Sequence, residues 1–165
     1  MGSSKSGRNH KGIKGFSLVE LLVVMFIVGI CLTLASYMFR NYEKKTRLRE
    51  AVQSYISDIK LAKQLAVSQT VHYVITINKD NNSYTIQDCC NTSDCSATGC
   101  VYNATKNFSE YGNTVKIGDN TYNRIIFQTR GTCSSGHISL INDAGTNFKI
   151  TTSMMGRVKS EEIKN

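Results

Sequence analysis
The chain has 165 residues, 41% of them hydrophobic, with 20 Lys+Arg against 12 Asp+Glu, six Cys and no Pro. That length excludes more than one sizeable core. The formal charge of +8 overstates the basicity: four of the twenty basic residues, Lys5, Arg8, Lys11 and Lys14, precede residue 16, leaving 16 against 12, a surplus of +4 that allows contact with nucleic acid or anionic lipid and demands neither.

Met1 to Gly12 is small, polar and basic, has nothing to pack, and reads as a targeting segment. From Phe16 to Phe39 the chain is apolar almost throughout, the signature of a membrane-spanning helix. The basic flank predicts a cytoplasmic amino end and an extracytoplasmic remainder. No small-x-small site closes the run, which argues against an ordinary secretory signal. Glu20 is the one charge in the run. A carboxylate in hydrocarbon costs about 2.5 kcal/mol or more and is by default a functional residue with a partner to be named. If the chain is cut after Gly15, the new α-amino group of Phe16 is the closest available cation, in the same subunit or a neighbour; the plainer account is a carboxylate snorkelling at interfacial depth.

At GFSLVE and the apolar helix after it, the sequence resembles the class III signal of type IV prepilins and of the pseudopilins of type II secretion. The resemblance implies cleavage between Gly15 and Phe16 by prepilin peptidase, N-methylation of Phe16, and an uncut helix that becomes the filament core. It also implies that Glu20 neutralises the N-terminal amine of an adjacent subunit during assembly. Many relatives carry a proline near the end of the apolar run, and this chain has none.

Arg40 to Thr70 continues as an amphipathic helix, with Leu48, Val52, Tyr55, Ile59, Ala62 and Ala66 on one face and Lys45, Arg49, Gln53, Lys60 and Lys63 on the other. The basic face reads as solvated in preference to a nucleic-acid surface. With no Gly or Pro between Phe39 and Gln69, span and amphipathic helix are expected to form one rod roughly 80 Å long. From Val71 the period becomes two, giving a hairpin over Val71–Ile77 and Tyr84–Gln87 with its turn at Asn78–Asn82. Further strands are predicted at Thr114–Ile117, Arg124–Gln128, His137–Ile141 and Phe148–Thr152, the last two joined by a turn at Asn142-Asp143 and Gly145. A helix laid on one face of an antiparallel sheet is an α+β fold, and the pilin resemblance implies the same layout.

Asp88 to Asn113 breaks the pattern as a Cys-rich loop, with Cys89, Cys90, Cys95 and Cys100; Cys133 stands in a second turn-rich stretch and Cys31 in the span. In an oxidising compartment the five outside the span read first as disulfide candidates. Five is odd, so one thiol stays unpaired and fifteen connectivities are open. Strain argues against a bond between Cys89 and Cys90. The expectation is that one of them meets Cys100 or Cys95 while the other reaches Cys133. Zinc is the competing reading, but Cys90-x4-Cys95-x4-Cys100 only approaches its usual spacing, and His72 and His137 lie in predicted strands. No metal or cofactor is expected. There is no Gly-rich phosphate loop, no H-E-x-x-H and no G-x-S-x-G, so no enzyme is expected.

Residues 125–159 resemble the end of the H-type pseudopilin and of FimT-like minor pilins. In FimT-like proteins a Gly-Arg-x-Arg element near the carboxyl end contacts DNA; Arg157 matches its first arginine, and Lys159 stands at the second position with a charge but no planar fork. Glu161 and Glu162, which follow, oppose a polyanion. The plainer account ends the last strand at Gly156 and leaves Arg157 as a solvated tail residue. The expected organisation is a cleaved leader (1–15), a transmembrane or filament-core helix (16–39) and a periplasmic or extracellular pilin-like domain (40–165). Two function classes follow. The first is a structural subunit, a minor pilin or H-type pseudopilin, whose partners are other pilin subunits, prepilin peptidase and the bacterial inner membrane. The second is a DNA-binding minor pilin gripping phosphates with Arg157, Lys159, Lys164 and Arg130.

Overall fold
The structure, a computed structural model, describes residues 17–89, 102–119 and 121–163. The chain divides into two compact units, Met1–Phe39 and Arg40–Asn165, and the helix α1 (Leu18–Gln69) has residues in both. In the first unit, Leu18–Ser36 has a mean hydropathy of 2.7 and no buried residue, long and apolar enough by composition to cross a membrane. Its hydroxyls are satisfied within the helix: Thr33 Oγ1 donates to the Ile30 carbonyl at 2.7 Å and Ser36 Oγ to that of Leu32 at 2.8 Å.

In the second unit the predicted apolar seam of α1 is the core face. Leu48, Val52, Tyr55, Ile59, Ala62 and Ala66 are all buried. Each large side chain among them contributes roughly 1.5–3 kcal/mol over its exposed state. The helix ends at Thr70, whose φ of 56° takes the left-handed conformation that stops a helix. The chain then enters β1 (Tyr73–Asn78), and the Tyr73 hydroxyl donates back to Gln69 Oε1 at 2.6 Å.

The single expected sheet is two sheets. β1, β2 (Ser83–Asp88), β3 (Asn103–Asn107) and β5 (Arg124–Phe127) form one antiparallel sheet in the order β3-β2-β1-β5. β4 (Val115–Ile117), β6 (Gly136–Asn142), β7 (Asn147–Thr152) and β8 (Val158–Ile163) form the other in the order β4-β6-β7-β8. One hydrophobic core joins the α1 seam to both sheets, centred on Tyr55, Tyr84 and Phe108, with ring centroids 5.0–5.9 Å apart. Asn82, in the β1–β2 turn at φ 49°, stitches the sheets together: its amide nitrogen donates to the Val115 carbonyl at 2.7 Å and its oxygen accepts from the Ile117 N–H at 3.1 Å, so it occupies the free edge of β4.

The predicted hairpins are present. β1 and β2 pair from Tyr73↔Asp88 to Asn78↔Ser83, and β6 turns into β7 through a loop where Asn142 Oδ1 accepts from the amides of Ala144 and Thr146. Two strands escaped the sequence reading. β3 falls inside the stretch assigned to the Cys-rich loop, and β8 replaces the expected solvated tail. Both are edge strands, rich in Asn, Lys, Ser and Glu, with no apolar alternation to betray them. The remainder of that loop, residues 90–101, lies outside the described residues.

Candidate functional site
Glu20 lies in the first turn of α1, where Ser17 O accepts from the amides of Glu20 and Leu21. That position adds a third account of the carboxylate, because negative charge in the first turn complements the helix dipole. The surrounding apolar side chains are open to contact, with Leu18 80% and Phe26 68% exposed. Gly15 and Phe16, the expected cleavage and methylation residues, lie outside the described residues.

The candidate DNA contacts are partly brought together, around a residue assigned only to a solvated helix face. Lys63 on α1 is flanked by two glycines in left-handed conformations, Gly131 at φ 80° and Gly156 at φ 68°. A Cβ on Gly131 would stand 3.5 Å from Lys63 Cε, and one on Gly156 would stand 2.7 Å from Lys63 Nζ. Arg130 precedes the first glycine and Arg157 follows the second, so each arginine is next in the chain to a glycine that packs on Lys63, and both are exposed. Lys63 Nζ also donates to the Met155 carbonyl at 3.1 Å, fixing the ammonium at the β7–β8 turn. Arg157 is held by the same turn: its N–H donates to Ser153 Oγ, and its carbonyl accepts from the Ser153 N–H at 2.9 Å. Lys159 pairs with Thr151, which pairs in turn with His137, along one row of the second sheet. His137 carries the ring of Tyr122 against it at 4.9 Å. Lys164 lies outside the described residues.

The basic face of α1 is therefore not simply solvated. Lys45 Nζ meets Glu162 Oε1 at 2.5 Å and Arg49 reaches Glu162 Oε2 at 3.6 Å, so the lower part of that face docks β8 as Lys63 docks its turn. Lys45 hydrogen-bonding, with Arg49 beside it, holds the Glu162 carboxyl below its ordinary range. Of the two acids expected to repel a polyanion, Glu162 is thus already paired with cations.

A second polar cluster was missed altogether. Asp58 sits on the apolar seam of α1, 5% exposed; it accepts from the Tyr84 hydroxyl of β2 and, through both oxygens at 2.8 Å, from Lys106 Nζ of β3. Burial first, then the Asp58 hydrogen bond, pushes the Tyr84 phenol well above its ordinary range, while that same carboxylate raises Lys106. The signal was legible: Asp58 falls three residues after Tyr55 and four before Ala62, a carboxylate on a buried stripe. It fastens the helix to the first sheet.

Among the cysteines, Cys89 is disulfide-bonded, whereas Cys31 and Cys133 are free thiols. The expected bridge to Cys133 is corrected. That residue is 5% exposed, bridges Phe127 across the β5–β6 loop and donates its thiol to the Ser153 carbonyl at 3.1 Å, so its sulfur is turned into the packing between two loops. Cys90, Cys95 and Cys100 lie outside the described residues, and the partner of Cys89 is not among the described ones. No group of three His, Cys, Asp or Glu able to hold a metal occurs among the described residues.

Two stretches match known families. Residues 10–36 match the prokaryotic N-terminal methylation motif, and residues 51–156, which take in the α1 seam from Val52 on, strands β1 to β7 and the turn beside Lys63, match the type II transport protein GspH. The chain belongs to the GspH family. Solved structures agree on the fold of this GspH-family chain. The minor pseudopilin EpsH from the type 2 secretion system of Vibrio cholerae aligns with a TM-score of 0.54 at 12% identity, over 73% of this chain and 97% of that one. The type IV minor pilin FimU of Pseudomonas aeruginosa aligns at 0.55 and 17% identity, over 73% and 92%. In sequence, a fimbrial protein of Pseudomonas aeruginosa is 32% identical over 76 residues, which are 46% of this chain and 49% of that protein. The chain thus spans about half the length of the curated relatives it matches. The long helix with antiparallel sheets is the pilin and pseudopilin fold expected from the resemblance.

Proposed function
We propose that the chain is a non-enzymatic structural subunit, a minor pilin or H-type pseudopilin, cut after Gly15, N-methylated on Phe16, held in the bacterial inner membrane with its C-terminal domain periplasmic, and assembled into a filament through α1. The observation that carries the reading is the coincidence in one chain of a methylation motif over residues 10–36 with a GspH domain over residues 51–156. The exposed apolar face of Leu18–Ser36 supports it, since such a surface needs lipid or neighbouring helices. Glu20 sets register by pairing with the Phe16 amine of a neighbour. In a host carrying the filament machinery, the mature protein is expected to have the mass of a chain that begins at N-methylated Phe16. Glu20→Val is expected to leave processing and membrane attachment intact and to abolish incorporation into sheared filaments. Normal incorporation of that variant removes the pairing argument, and a retained leader in the wild type removes the processing one.

A specific observation favours a second reading, DNA capture by the same subunit: Gly131 and Gly156, the chain neighbours of Arg130 and Arg157, both pack on Lys63, and the carboxylate of Glu162 is engaged by Lys45 and Arg49. Phosphate contacts from Arg130, Lys63, Arg157 and Lys159 predict binding by the full chain in detergent that falls log-linearly with salt. Each Lys or Arg replaced by Ala should lower the slope by about 0.7–0.9. No binding at low salt leaves the structural subunit alone.

A further inference from the structure
Three sulfur-bearing residues among the described residues of the globular unit, Cys133, Met154 and Met155, line one groove. A cavity of about 480 Å³ between the start of β1, the β5–β6 loop and the β7–β8 turn is lined by His72, Ile126, Cys133, Met154 and Met155 among others. Cys133 is tied to the β7–β8 turn: its N–H donates to the Met154 carbonyl at 3.0 Å, and its thiol to the Ser153 carbonyl at 3.1 Å. The thiol is therefore next to the turn that carries both methionines. Cys133 is also the one free cysteine among the described residues of this unit, since Cys89 is disulfide-bonded and Cys31 belongs to the helical unit.

The methionines stand out for the opposite reason. Met154 and Met155 are 68% and 71% exposed at a tight turn. No core contact calls for a thioether there, and a polar residue would solvate the turn as well. Each has three rotatable bonds between backbone and methyl group, so either sulfur can swing over a fixed thiol. Burial raises the Cys133 thiol, while the Gly156 amide and the Lys63 ammonium favour its thiolate.

We infer that this groove binds one soft monovalent cation, Cu(I), through the Cys133 sulfur and a thioether of Met154 or Met155, with the His72 imidazole as the remaining donor at the rim. Thiolate and imidazole suit both Cu(I) and Zn(II), and the thioether is the donor that favours Cu(I); the hard divalent ions favour carboxylate, carbonyl and water. On binding, the Cys133 S–H bond is broken, its proton passes to solvent and a Cu–S bond forms; the ion enters and stays monovalent, so no oxidant or reductant is consumed. The thiolate cancels the charge of the ion, leaving Lys63 free to keep its bond to Met155 O.

The test is an anaerobic titration of the full chain in detergent, disulfides intact, with Cu(I) held by the chromophoric chelator bathocuproine disulfonate. The wild type is expected to take one equivalent from the chelator. Cys133→Ser should lose it, and the paired change Met154→Leu with Met155→Leu should weaken it at least tenfold. Because both methionines are exposed, the second variant keeps the fold, which an unchanged metal-free melting temperature confirms. Cys31→Ser should bind as wild type. X-ray absorption of the loaded protein should show sulfur neighbours around copper, lost in part in the double leucine variant. Copper uptake that survives Cys133→Ser, that is lost in Cys31→Ser, or that ignores the methionine pair overturns the inference, as does no uptake at all.

Discussion

Replacing Asp58 tests whether the helix is fastened to the first sheet as the geometry says. In Asp58→Ala the Tyr84 hydroxyl, on a residue 1% exposed, loses its acceptor, and an unmet buried hydroxyl costs about 1–3 kcal/mol. Lys106 loses its partner too, but its side chain is 41% exposed and turns to water, so that loss adds only about 0.5–1 kcal/mol. The sum, about 1.5–4 kcal/mol, is centred below the roughly 3–5 kcal/mol for breaking a fully buried ion pair. Asp58→Asn keeps an acceptor for Tyr84 and should cost about 1 kcal/mol less than Asp58→Ala. The measurement is urea unfolding of the full chain in detergent, followed by circular dichroism, with Tyr84→Phe as the second arm of a double-mutant cycle. Coupling of about 1 kcal/mol between Asp58 and Tyr84 is expected. A cost for Asp58→Ala under about 0.5 kcal/mol, or strict additivity with Tyr84→Phe, refutes the reasoning that the carboxylate exists to satisfy that phenol.

Two further outcomes follow from neighbouring groups. The Tyr55 hydroxyl is fully buried with no hydrogen-bond partner among the described residues, so Tyr55→Phe should be neutral or should stabilise by about 1 kcal/mol in the same unfolding assay; a clear loss would mean the hydroxyl has a partner. Glu162 has its carboxyl depressed by Lys45, so its contribution is present above the ordinary carboxylate range and is lost as pH falls through the depressed value. Melting temperatures of wild type and Glu162→Gln should therefore differ at pH 6 and converge toward pH 3, and in high salt the difference at pH 6 should shrink; a gap that widens on acidification contradicts the pairing.

The legible and illegible parts of the sequence divide along a physical line. The span was readable as an unbroken apolar run, and the α1 seam and six of the eight strands among the described residues because burial imposes a period, which Leu48, Tyr55 and Ile59, or Val115, Leu140 and Ile150, carry in apolar residues. β3 and β8 were not readable, since an edge strand is held by main-chain bonds to one neighbour and its side chains face water; the Val158–Ile163 sequence spells a polar tail just as well. The second sheet was invisible for a related reason. Nothing in a strand's own pattern says which of two sheets it joins, and the partition here is made by long-range pairing and by the side chain of Asn82.

The sequence by itself determined the targeting motif, the long helix, its buried face and the family, because these are local in the chain: a short signal, an apolar run, a repeat of three and four. Only the tertiary structure decided what the charged and sulfur-bearing residues do. Lys63 came to lie against Gly131 and Gly156, Glu162 was drawn to Lys45 and Arg49, Asp58 met Tyr84 and Lys106, and Cys133 was turned away from a disulfide toward the β7–β8 turn. A charge, a hydroxyl or a thiol takes its role from whichever group lies within a few ångströms. In this fold those groups come from segments dozens of residues apart.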